Sequence, residues 1–129
     1  MNKITTIVES FKRKRYTGGI SVEEIKKAEE ALNVKFSSDY VDLLITYGSL
    51  CAKGEEILGV DENNYDVVKA TTEAKNQHSD FPIGMYVVEN MAIDGILLIQ
   101  NTDGAIFTYQ PGTHVKKIND SLCDYLENL

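Results

Sequence analysis

A chain of 129 residues, 43% hydrophobic and 26% charged, suits one compact domain that buries roughly two-thirds of its unfolded surface, and is too short for two. Its longest aliphatic run, Ile96-Leu97-Leu98-Ile99, falls far below the roughly 20 residues of a membrane span; MNKITTIVES at the N-terminus has no signal-peptide core, so residues 1–129 are expected to form a single cytoplasmic domain. The formal charge of −7 divides into a basic head, with five of the thirteen Lys and Arg before Tyr16 against Glu9 alone, and a body of eight bases and nineteen acids. Such a body repels nucleic acid and attracts basic proteins.

Along the chain, Ile4, Ile7, Val8 and Phe11 recur at helical spacing and predict an amphipathic helix over residues 3–15. It would end on Lys12-Arg13-Lys14-Arg15, four bases that suit either a nucleic-acid or localisation patch or, the simpler option in an acidic domain, the negative end of a helix dipole. Gly18-Gly19 breaks the pattern as a turn; an anion cradle is the weaker alternative without a P-loop or dinucleotide motif around it. Ser21-Val22-Glu23-Glu24 reads as a capping box, with Ile25, Ala28 and Leu32 as the buried stripe of the helix that follows and Asn33 at its end. Ser37 or Ser38 caps a third helix, apolar on more than one face through Tyr40, Val41, Leu43, Leu44, Ile45 and Tyr47, and stopped by Gly48.

Glu55 to Val60 predicts a short strand, and DENNYD, residues 61–66, an acidic loop. Asp61 and Asn63 alternate as in a calcium loop, yet the sixth-position Gly is missing and Thr72 stands where an EF-hand places its bidentate Glu. A helix from Tyr65 to about Asn76 turns Val67, Val68, Thr71 and Ala74 inward. Met85–Glu89, Gly95–Gln100 and Ala105–Gln110 then read as strands of an antiparallel meander, reversed at Asn90–Asp94 and Asn101–Gly104. Val115–Ile118 adds a short strand, and Asn119 caps a last helix with Leu122, Tyr125, Leu126 and Leu129 on one face.

Little here points to a reaction. Cys51 and Cys123 belong to no CxxC pair and are expected as free thiols; His78 and His114 stand alone, which disfavours both a metal site and a cysteine–histidine nucleophile. No GxSxG elbow occurs. Carboxylate pairs are abundant because acids are abundant, so solvated turn residues are the default and contact with a partner the sharper alternative. Glu55, Glu56, Asp61, Glu62 and Asp66 form the densest acidic cluster and are the first candidate partner-binding residues, followed by Asp94 and Asp103 in the two Asp-Gly turns.

SVEEIKKAEEAL at 21–32, FSSDYVDLLITYGS at 36–49, EILGV at 56–60, MYVVENMAIDGILLIQNTDGAIFTY at 85–109 and INDSLCDYL at 118–126 occur in an order that resembles the SUKH superfamily of Smi/Knr-like proteins. The chain departs from the family pattern in lacking a Pro before the third helix, in having Gly48-Ser49 for Gly-Gly, and in lacking Trp. The resemblance implies an α+β fold with a mostly antiparallel sheet packed by helices on one side, no enzymatic activity and no cofactor. Many bacterial members resemble immunity proteins that neutralise a cognate polymorphic or contact-dependent toxin, often a nuclease, in the cytoplasm; fungal relatives resemble regulatory modules of cell-wall synthesis. The expected partner is thus a basic toxin domain, with neither nucleic acid nor membrane, or in the alternative an endogenous protein.

Overall fold

The computed structural model describes residues 2–129. The first helix, α1 (Lys3–Ser10), is capped by the Asn2 side chain, which accepts from the Thr5 amide. It is shorter than its periodicity suggests: Phe11 is already extended and buried, and Lys14–Tyr16 form strand β1 instead of a last helical turn. The partner of β1 is β2 (Leu50–Ala52), antiparallel with Arg15 opposite Cys51. Three residues reading Leu-Cys-Ala are too few to show a strand period, so pairing across the fold, rather than local pattern, decides both strands. A Lys53-Gly54 turn, with φ of 55° and 79°, joins β2 to β3 (Glu55–Ile57), the positive φ at both central residues being that of a type I′ hairpin turn.

Helix α2 (Val22–Leu32) opens on the capping box: Ser21 Oγ accepts from the Glu24 amide, the Glu24 carboxylate accepts from the Ser21 amide, and Asn33 closes the helix in the left-handed region. Gly18-Gly19 is no anion cradle. The Gly18 and Ile20 amides donate to the Tyr47 and Leu44 carbonyls at the end of α3 (Ser38–Thr46), 2.8 and 3.0 Å away. A Cβ on Gly19 would collide with the Ile45 carbonyl. The glycines therefore let one backbone terminate another.

Strand β3 ends early because Leu58 is redirected: its amide donates to the Val88 carbonyl at 2.7 Å and joins the small sheet to the edge of the larger one. Helix α4 (Val67–Gln77) begins after the Asp66 cap. The meander then runs β4 (Tyr86–Asn90), β5 (Leu97–Gln100), β6 (Ile106–Gln110) and β7 (His114–Asn119), antiparallel in spatial order, with a bulge between Val87 and Glu89. The closing helix α5 (Leu122–Glu127) is capped by Ser121; Asn119, expected in that role, is the last residue of β7.

Helices cover both faces of the four-stranded sheet, not one. Tyr86, Val88, Leu98 and Ile106 pack with α1, α2, α3 and α5, whereas Val87, Ile99 and Tyr109 pack with Ala70 and Ala74 of α4. The alternation of strand side chains places these sets on opposite faces. A polar network crosses the first interface. Asp39 on α3 accepts from the α5 amides of Leu122 (2.8 Å) and Cys123 (3.3 Å) and from the Gln100 side chain. Tyr86 donates to Gln100 and accepts from the Ser37 amide. Phe36, Tyr40 and Tyr86 form an aromatic cluster beside it.

Candidate partner-binding surface

The acidic residues adjacent in sequence separate in space. Strand pairing puts Lys14, Ala52 and Glu55 in one cross-strand row and Arg15, Cys51 and Glu56 in the next. Successive side chains of a strand point to opposite faces, so the Ala52 row, with buried Ala52, faces the core, and the Cys51 row faces outward. Glu55 therefore turns inward, toward Glu89. Glu89 is only 3% exposed and accepts from the Tyr125 hydroxyl at 2.9 Å. Burial, then the neighbouring Glu55, pushes the Glu89 carboxyl up to about 8. This is a carboxyl pair, but one enclosed between β3, β4 and α5 and not in a cleft.

Asp66 is held by backbone amides. It is 3% exposed, and its two carboxylate oxygens accept from the Lys69 amide (2.9 Å) and the Asp61 amide (2.8 Å). It caps α4 and holds the start of the loop.

Between Asp61 and Asp66 the loop is tied from within. Asp61 accepts from the Asn63 amide and the Asn64 side chain, which together hold its carboxyl below the ordinary carboxylate range. The Lys69 ammonium donates to the carbonyls of Asp61 (3.1 Å), Glu62 (2.7 Å) and Asn64 (2.7 Å). The calcium-like spacing thus has a physical counterpart: the carbonyls converge on a cation, and that cation is the protein's own lysine. Among the described residues, no three His, Cys, Asp or Glu side chains converge to hold a metal ion.

This loop forms one rim of a groove of about 840 Å³, and α2 forms the other. Asp61 and Glu62 line it from one side and Glu24 from the other, over a floor that includes Ile20, Val60 and Val68. Lys27 and Lys69 also line the groove, but the ammonium of Lys69 is engaged by the loop. Glu24 lies 37 positions before Asp61 and was marked in the sequence only as a capping-box residue; the packing of α2 on α4 brings it here.

Asp94 and Asp103 do not join this groove. Both are exposed, but they occupy the β4–β5 and β5–β6 turns, at opposite ends of β5. Asp94, with φ of 52°, precedes Gly95 at 71°, and Gly104 at 103° follows Asp103, so both Asp-Gly pairs serve the reversals. Glu56 lies on the outer face of the small sheet, in the row with Arg15 and Cys51. Of the seven acidic candidates, Asp61, Glu62 and Asp66 line the groove, the last of them buried.

The thiols offer no activated nucleophile. Burial raises the Cys51 thiol, and burial with the nearby Asp39 pushes Cys123 up to about 11, opposite to the shift that generates thiolate. Comparison with family models matches residues 4–129 to the SUKH family described as SMI1-KNR4 cell-wall. No curated protein matches the chain.

Proposed function

Given that the chain belongs to the SUKH superfamily, in its SMI1-KNR4 family, we propose that it is a non-enzymatic, cytoplasmic immunity protein that neutralises a cognate toxin domain by binding it one to one. The observation that supports this is the groove between α2 and the 61–66 loop: carboxylates of Glu24, Asp61 and Glu62 at its rims, apolar side chains on its floor. An interface of that composition takes a basic segment with an apolar anchor. The apolar floor supplies the desolvated contact, and the carboxylates supply orientation and rate of encounter. The loop is held in place before binding, so little ordering entropy opposes association. A nuclease presents basic surface to its own substrate, and an acidic protein that covers it blocks access.

The test is co-expression with the product of the adjacent gene, followed by affinity measurement for Glu24→Lys, Asp61→Lys and Glu62→Lys. Rescue of growth and a co-purifying complex are expected for the native chain. A reversed charge that is desolvated on binding costs about 2–5 kcal/mol, whereas a rim charge chiefly slows association. Undiminished affinity in all three variants sinks the groove as the interface, and rescue without a complex sinks stoichiometric inhibition.

A second proposal is favoured by the description of the matched family, which refers to the cell wall: a regulatory scaffold module that binds an endogenous protein through the same groove. A housekeeping locus with no toxin gene beside it, and capture of a host protein in place of a toxin, would favour that role.

A further inference from the structure

We propose that the open edge of β1 is a second binding surface, and that its occupant is an extended acidic segment of a protein partner, added alongside β1 as a fourth strand. The basic head does not end a helix. Lys12 and Arg13 lie in the bend after α1, and Lys14 and Arg15 lie in β1. Three of these four are exposed, and Lys53 at the tip of the β2–β3 turn lines the same hollow as all four, five bases against Glu55 and Glu56 on its far side. Lys14 donates to the Phe11 carbonyl. Among the described residues, none of Lys12, Arg13, Arg15 and Lys53 has a carboxylate within 4.0 Å, although the chain holds twenty acids to thirteen bases. The one acid in the Arg15 row, Glu56, is two strands away across Cys51, a spacing of roughly 10 Å.

Two features point to a polypeptide. The small sheet has the order β1-β2-β3, so β1 is paired on one side only and offers backbone donors and acceptors on the other. At the end of this strand Tyr16 is 52% exposed, its ring fixed edge-on against Tyr47 at 5.0 Å, which provides a rigid apolar anchor. A long nucleic acid would also meet the cations, but it would run onto a body of net charge −11, with eight bases and nineteen acids after Tyr16. A short acidic strand is confined to the edge. Charged edge strands also deter aggregation without any ligand, and saturable, backbone-dependent binding is what separates the two roles.

The experiment titrates the full chain with a short synthetic peptide of alternating Glu and Thr, with the same peptide N-methylated at alternate residues, and with a single-stranded oligonucleotide of equal charge. Saturable binding of the unmodified peptide is expected, weakened about tenfold or more by N-methylation and by the pair Arg13→Glu and Arg15→Glu. The Glu24→Lys variant, at the separate groove, is expected to bind the peptide unchanged, so failure at β1 leaves the groove proposal standing and the reverse. Absence of saturable peptide binding, indifference to N-methylation, or an oligonucleotide that binds as tightly as the peptide would each overturn the proposal. Amide hydrogen exchange of residues 14–16 and 50–52 in the double variant verifies that β1 remains paired; if it does not, Lys12→Glu with Lys53→Glu, both outside the strand, supplies the charge arm with the same expected loss.

Discussion

Glu89 shows how a single residue takes its chemistry from three elements. It stands at the bulge of β4, lies beside Glu55 of β3, and accepts from Tyr125 of α5. In the unfolded chain its carboxyl returns to the ordinary 4.5; in the fold it lies near 8. The folded state thus holds a proton that the unfolded state releases, and stability falls with pH wherever that is so. The contribution of Glu89 is complete below about 4.5 and is lost as pH rises through about 8. The expected outcome is a melting temperature that declines between about pH 5 and about pH 8 and levels off above, and a flatter profile in Glu89→Gln, which keeps an acceptor for Tyr125 without an ionisable group. An identical decline in both proteins would assign the pH dependence to other groups. Nothing in the local sequence MYVVENM marks this glutamate as buried, because the bulge and the partners from β3 and α5 create its environment.

At the scale of elements, helix caps were the most legible features and helix ends the least. Ser21 with Glu24, Ser37, Asn33 and Gly48 act within four residues of themselves, so their roles can be read locally. The end of α1 and the existence of β2 depend on a ladder between residues some 35 positions apart, and no local window contains both halves. Asp39 belongs to the same class: a first-turn acid of α3 by position, but in space also the cap of α5 and a partner of Gln100. Asp39→Ala would leave the Leu122 amide and the Gln100 side chain short of a partner. Loss of such a charged, part-buried acceptor is expected to destabilise by about 2–3 kcal/mol, measurable by urea denaturation; a change under about 0.5 kcal/mol would show that water replaces the carboxylate without penalty.

For the whole molecule, the uneven charge read from the sequence acquires a location. The bases of residues 12–15 gather with Lys53 on the small sheet, while Glu24, Asp61 and Glu62 border the groove between α2 and α4. A molecule with one anionic recognition groove and a net charge of −7 steers a basic partner over distances comparable to the Debye length, roughly 10 Å at 0.1 M salt. Association with a basic partner is therefore expected to slow markedly as salt rises from about 0.05 to 0.5 M, with dissociation changing less; stopped-flow kinetics reads both. A salt-independent association rate would rule out electrostatic steering as the route to the complex.

The sequence by itself determined the α+β class, the order of most helices and strands, the turn role of both Asp-Gly pairs, and the family, because hydrophobic period, capping and turn chemistry act over a few neighbouring residues. Tertiary structure alone decided that helices cover both faces of the sheet, that Glu55 turns inward and Asp66 is buried as a cap while Glu24 joins the groove, and that the basic run lines an open strand edge in place of a helix end. Each of these depends on which distant segment a side chain or backbone edge meets, and that is set by packing and strand pairing rather than by the residues on either side.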